Sequence, residues 1–167
     1  MSNPSKDKGK QYERVVSKHL SEVFGLPFQR VPNSGAFVGG KNAFRAELMS
    51  EEQKLLADGD IIVPKELAHV SFECKFYKDF SWNKLFSNKG ESHLNSWIKQ
   101  SNETTKRFWF IIFKINRQGS FVCFPQYYYF KNSNTTTLDC VIGEEKYTIT
   151  QLDGFFENCK ELILNAV

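Results

Sequence analysis

No apolar run in this chain reaches the ~18 residues that a membrane-spanning helix needs. The first ten residues, Met1-Ser2-Asn3-Pro4-Ser5-Lys6-Asp7-Lys8-Gly9-Lys10, lack the apolar stretch that opens a secretory leader. Both absences lead to the expectation of a cytoplasmic protein with no membrane partner. Cysteine is sparse. Cys74, Cys123, Cys140 and Cys159 stand far apart, none two or three residues from another, which speaks against a zinc knuckle. Each lies among apolar neighbours and, in a reducing compartment, reads as a small buried residue. His19, His69 and His93 are scattered and suggest no ligand cluster. Internal repeats, low-complexity tracts and an interdomain linker are absent as well.

What is present suits one domain over residues 1–167, with a polar tail, expected to be flexible, at 1–8. The hydrophobic content of 41% and charged content of 25% are those of an ordinary globular chain. Aromatics reach 15%, and the 16 Phe among them indicate a bulky core. The net charge of +3 is unevenly spread. From residue 132 onward two lysines face six acids, a balance of −4, so residues 1–131 carry +7. A basic stretch of that size is compatible with a polyanionic partner and equally with a plain basic surface.

Apolar spacing predicts a helix over 9–24 (Tyr12, Val15, Val16, Leu20, Val23, Phe24), closed by Gly25-Leu26-Pro27. A short strand at 28–31 and a turn at 32–35 follow. Residues 36–58 read as an inserted loop, with a turn or two of helix opening at 50–53. Residues 60–63 and 69–77 read as a hairpin. A helix over 91–106 precedes the unbroken apolar run Phe108–Ile115, which suits a central strand. Its return strand is expected at 121–124, and an aromatic edge or short helix at 127–130. A second hairpin joins Thr137–Ile142 to residues 146–149. Thr150-Gln151-Leu152-Asp153 has the form of a capping box, with Asp in the place of Glu. It leads into a final helix expected to bury Leu152, Phe155, Phe156, Cys159, Leu162 and Ile163. The order predicts an α/β fold: a mixed sheet flanked by helices, with a C-terminal β-hairpin plus helix.

Three stretches carry chemistry. Asp60 follows Gly59 at the start of a strand, where acids are disfavoured. Glu73 and Lys75 are two apart in the next strand and so share one face of the sheet. Glu13 lies at the edge of the first helix's apolar stripe and can face the sheet. Phosphodiester hydrolysis needs charge neutralisation on the phosphoryl group and an activated water, and Mg²⁺ supplies both while preferring carboxylate oxygens. Asp60 and Glu73 would bind the metal with the backbone carbonyl of Cys74. Lys75 would orient or deprotonate the water, or stabilise charge on the phosphate. Glu13 would hold a water of the metal shell or a second metal. Each piece has a plainer reading: a Glu-X-Lys pair is commonly a surface ion pair, and a lone helical Glu is commonly solvated. It is the combination that points to a site. Lys78, Lys84 and Lys89 alternate with Phe80, Trp82 and Phe86, which suits a DNA-facing loop or a loop whose aromatics reach the core.

With these residues the chain resembles the PD-(D/E)XK nuclease superfamily. Arg30-Val31-Pro32-Asn33-Ser34-Gly35 is similar to the Arg-X-Pro-X-Ser-Gly segment of archaeal-type Holliday junction resolvases. In those proteins an Asp motif and then Glu-Cys-Lys follow, as Asp60 and Glu73-Cys74-Lys75 do here. Gly9-Lys10-Gln11-Tyr12-Glu13 resembles their Gly-X-X-(Phe/Tyr)-Glu start. The resemblance covers residues 9–124 and is closest to phage-type resolvase-like endonucleases. It implies a restriction-endonuclease-like fold, with Glu13, Asp60, Glu73 and Lys75 catalytic. Ser34 would contact the scissile phosphate or a water on the metal, Arg30 would support DNA binding, and Gln100 would lie near the active site and the DNA. The chain departs from the pattern in the insertion at 36–58, in Gly59 where the family has Pro, and in a tail beyond Pro125 with no clear counterpart.

The resemblance and the residues together lead to the expectation of a Mg²⁺-dependent DNA endonuclease (Mn²⁺ as substitute), acting on branched DNA in recombination as a homodimer in a phage-infected or prokaryotic cytoplasm. A sequence-specific restriction or homing-type endonuclease of the same fold is the alternative, followed by a DNA-binding module that does not cut.

Overall fold

A computed structural model describes residues 4–32, 58–87, 90–130 and 136–166. The elements are α1 (Pro4–Phe24), β1 (Gln29–Arg30), β2 (Ile61–Ile62), β3 (Val70–Tyr77), α2 (Ser92–Ser101), β4 (Phe108–Ile115), β5 (Gly119–Pro125), β6 (Thr137–Ile142), β7 (Glu145–Gln151) and α3 (Phe155–Leu164). α1 starts at Pro4, ahead of the expected Gly9; a proline in the first helical turn forfeits no internal hydrogen bond. It buries Tyr12, Val16, Leu20 and Phe24, one per turn, and ends where Gly25 takes φ 67° and donates to the Ser21 carbonyl at 2.9 Å.

The main sheet has the order β3-β4-β5-β7-β6. β3 and β4 run parallel through the α2 crossover, and the other pairs are antiparallel. β4 is the strand that both faces cover. Its Phe110 and Ile112 join the core under α1 and α3, with Phe72, Phe124, Phe155 and Phe156. Its Trp109, Ile111, Phe113 and Ile115 join a second core under α2, with Leu94, Trp97 and Ile98. Each fully buried Phe contributes about 2–3 kcal/mol of transfer free energy, so the phenylalanines dominate the driving force. The mixed sheet flanked by helices is the predicted restriction-endonuclease-like architecture. All four cysteines are buried and unbridged. No helix among the described residues is long and apolar enough to cross a membrane.

Several local expectations are corrected. Residues 60–63 and 69–77 do not form a hairpin ladder: β2 is two residues long and pairs antiparallel with β1 (Gln29 opposite Ile62, Arg30 opposite Ile61). Pro64, which lacks an N–H, and a single 3-10 turn at Lys65–Leu67 carry the chain away before a ladder can extend. The capping box at 150–153 does not form. Thr150 and Gln151 stay in β7, paired with Val122 and Phe121, and Gly154 (φ 76°) is the N-cap without a side-chain bond. Leu162, expected in the core, is 54% exposed, while Leu152, Phe155, Phe156, Cys159 and Ile163 are buried. The helix expected over 91–106 is shorter, with Glu91 as its N-cap accepting from the Leu94 N–H at 2.9 Å. The aromatic run resolves into a 3-10 turn at Gln126–Tyr128 followed by Tyr129 in a left-handed conformation (φ 56°). The insertion, apart from Asp58, lies outside the described residues.

Candidate active site

Strand periodicity places Val70, Phe72 and Cys74 of β3 in the core beneath α1 and α3. Glu73 and Lys75 therefore face the other way, toward α2, where Gln100 meets both. Lys75 Nζ donates to Glu73 Oε1 at 2.5 Å and to Gln100 Oε1 at 2.9 Å, and Gln100 Nε2 donates to Glu73 Oε1 at 2.7 Å. The three side chains form a closed ring. Glu73 is 8% exposed, so its contact with Lys75 is a desolvated ion pair, unlike the weak surface kind.

Asp60 approaches from the open edge of β3. Its N–H donates to the Phe72 carbonyl at 2.9 Å, and its Oδ2 accepts from the Cys74 N–H at 2.8 Å. The Cys74 carbonyl lies on the same side of the strand as that N–H, so it too is turned to the open edge. Gly59 makes the approach possible. Its φ is 87°, and a Cβ there would stand 2.7 Å from Ser71 Oγ and 2.8 Å from the Phe72 carbonyl oxygen. A proline, fixed near φ −65°, cannot take this conformation, which accounts for the departure from the resolvase pattern.

Asp60 lies within reach of the Glu73 charge. Burial, and then the charge of Glu73, push the Asp60 carboxyl up to about 7, while the Cys74 N–H and Lys75 pull it down. Burial beside a second carboxylate thus favours the protonated form of Asp60. A divalent cation in the proton's place would remove the repulsion, and on that ground the pair fits one. Among the described residues no three His, Cys, Asp or Glu side chains gather at metal-ligating spacing. Two carboxylates with a carbonyl and water would be the kind of donor set that Mg²⁺ or Mn²⁺ accepts.

Glu13 reaches the cluster from the opposite face of β3. Its carboxylate is bonded to Arg30 Nε of β1, with both side chains largely buried. The buried Cys74 thiol, raised well above its ordinary value by burial, also feels Asp60, Glu73 and Glu13. Arg30, expected at the DNA, is engaged first with Glu13, and its Nη2 is buried without a hydrogen-bond partner. Lys78 and Lys84 are exposed beyond β3. Of the aromatics between them, Phe80 is buried, Trp82 stacks edge-on to Phe121, and Phe86 is 81% exposed. Ser34 and Lys89 lie outside the described residues. Sequence reasoning missed Asp58, whose Oδ2 accepts from Thr104 Oγ1 at 2.7 Å and Thr105 Oγ1 at 3.3 Å. Partners so far apart in the chain leave no local signal.

A family model of phage PDDEXK endonucleases matches residues 4–165. The match takes in β6, β7 and α3, so the segment beyond Pro125 belongs to the family pattern even though the resolvases offer it no counterpart. Protein D14 of Escherichia phage T5 is 37% identical over 103 residues, which are 60% of this chain and 56% of that protein. The chain thus spans little more than half the length of that relative. No solved structure matches it.

Proposed function

Since the chain belongs to the phage PDDEXK endonuclease family, we propose that it is a Mg²⁺-dependent endodeoxyribonuclease acting on branched DNA in the cytoplasm of a phage-infected cell. The observation that carries the chemistry is Asp60 bonded to the Cys74 N–H next to Glu73, with Lys75 and Gln100 ringed against Glu73. Asp60, Glu73 and the Cys74 carbonyl would hold the cation, which supplies charge neutralisation on the phosphoryl group and an acidified water. Lys75, with its ammonium fixed between Glu73 and Gln100, orients the attacking water or meets the charge that develops on the phosphate. Gln100 keeps that ammonium and the Glu73 carboxylate in register. Glu13, clamped by Arg30, adds negative potential from the other side of β3. Lys78, Lys84 and Lys89, with Ser34, contact phosphates and set affinity, without reading bases.

The preference for branched DNA rests on the resemblance to junction resolvases. A four-way junction has near two-fold symmetry, so a C2 homodimer would present one site to each of two strands. The test is cleavage of a synthetic four-way junction and of linear duplex of the same sequences, with Mg²⁺ or Mn²⁺, by the wild type and Glu73→Ala. Paired symmetric nicks on the junction alone, lost in Glu73→Ala, are expected. Equal cutting of both substrates would remove junction selectivity and favour a sequence-led endonuclease. Tight binding without cutting would leave a DNA-binding module.

A further inference from the structure

The two halves of the site arrive from distant parts of the chain. Asp60 comes on the arm that precedes β2, and Gln100 on the last turn of α2. A second set of contacts behind them joins the same two parts. Asp58, two residues before Asp60, accepts from Thr104 Oγ1 at 2.7 Å and Thr105 Oγ1 at 3.3 Å. Thr104 N–H in turn donates to the carbonyl of Ser101, the residue after Gln100, at 3.2 Å. Thr104 Oγ1 also accepts from the Lys106 N–H at 3.2 Å, and partial burial lowers the Lys106 ammonium while the Asp58 charge offsets part of that.

Followed around, the contacts close a circuit. Asp58 leads through Gly59 to Asp60, Asp60 accepts from the N–H of Cys74, the residue after Glu73 in β3, and Glu73 accepts from Gln100. Gln100 leads through the end of α2 to Thr104, which returns to Asp58. Gly59 is the pliable link of such a circuit: its φ of 87° leaves it held by its two neighbours, Asp60 on β3 and Asp58 on the threonines.

We propose that Asp58, with Thr104 and Thr105, is a positioning clamp that sets the separation of Asp60 from Glu73 by tying the Asp60 arm to the end of the helix that carries Gln100. Asp58 touches neither substrate nor cation. It acts through Asp60, and its importance for cleavage rests on the function proposed above. An Asp–Thr contact at a turn ordinarily serves only the turn. This one joins the two elements whose relative placement decides whether both carboxylates can meet one ion, and supporting residues of that kind commonly change metal affinity by about 10–100-fold.

The experiment compares Asp58→Ala, Asp58→Asn and Thr104→Val. In metal-free protein, hydrogen exchange at the Cys74 amide reports the Asp60 Oδ2 bond directly. Mn²⁺ affinity, from water-proton relaxation, and single-turnover cleavage follow. Asp58→Ala and Thr104→Val are each expected to speed Cys74 exchange roughly tenfold, with the amides of β5 and β7 unchanged. Mn²⁺ binding should weaken about tenfold, and kcat should fall while KM for DNA holds within about twofold. Asp58→Asn, which keeps an acceptor oxygen for the threonines, should restore all three. The clamp is overturned if Cys74 exchange is unchanged in both Asp58→Ala and Thr104→Val, or if exchange rises across the whole sheet. Faster Cys74 exchange with no Mn²⁺ bound even by the wild type would support the clamp and sink the metal-dependent nuclease instead.

Discussion

The five-stranded sheet has two edges, and each has an aspartate bonded beside it. At the β3 edge Asp60 takes the Cys74 N–H and lies against a second, buried carboxylate. At the β6 edge the exposed Asp139 accepts from Thr148 Oγ1 at 2.7 Å and Gln126 Nε2 at 2.9 Å. Both carboxylates accept hydrogen bonds. They differ in what surrounds the bonds. Asp139 meets the neutral donors Thr148 and Gln126 in open water, where its charge is readily solvated. Asp60 has too little water and a like charge beside it, and so holds a proton up to about pH 7. Unrelieved charge in a poorly solvated place is what distinguishes a site from a well-satisfied surface acid.

The sharpest way to break the contrast is by activity. Glu73→Ala should lower single-turnover cleavage by roughly a thousandfold or more. Asp139→Asn should leave it within about twofold, and a large loss there would show that the β6 edge also belongs to the functional surface. The next contrast is between two glycines of positive φ. A Cβ on Gly59 meets backbone at under 3 Å, whereas one on Gly143, in the turn between β6 and β7, meets nothing within 4 Å. Denaturant unfolding should show Gly59→Ala destabilised by about 2–3 kcal/mol and Gly143→Ala by about 1 kcal/mol, from backbone strain alone. Equal costs would mean that Gly59 is not seated against β3.

The smallest effect concerns stability against pH. The folded-state pKa of Asp60 is raised from 3.8 to about 7, so between those values the folded chain binds a proton that the unfolded chain has lost. The stabilisation is complete below about pH 4 and is lost as pH rises through 7. Without metal, Asp60→Asn should therefore melt a few degrees above the wild type at pH 8 and level with it at pH 4. Asp139→Asn should show no such gain. Thermal melts in EDTA at the two pH values decide it, and an Asp60→Asn difference that does not grow with pH would contradict the raised Asp60 carboxyl.

Much of this was legible along the chain. The apolar run of β4, the stripe of α1 and the two-residue spacing of Glu73 and Lys75 depend only on local periodicity, and they stand as expected. Asp60 was legible as an acid where a strand disfavours one. The errors came where local pattern competed with a ladder. Thr150 and Asp153 spell a helix cap, yet β5 claims Thr150 for β7. Residues 60–63 spell a strand beside β3, yet Asp60's own backbone and carboxylate take up the β3 edge.

Side-chain chemistry and element type were thus determined by the sequence itself, because they follow from residue identity and from spacings of two or a few residues. The tertiary structure alone decided that Asp60 feels the charge of Glu73, that Arg30 holds Glu13, that Gln100 bridges Glu73 and Lys75, and that Asp58 meets Thr104. Those pairings join residues 13 to 46 positions apart. No periodicity reaches that far, and only the packing of α1 and α2 on opposite faces of one strand brings them together.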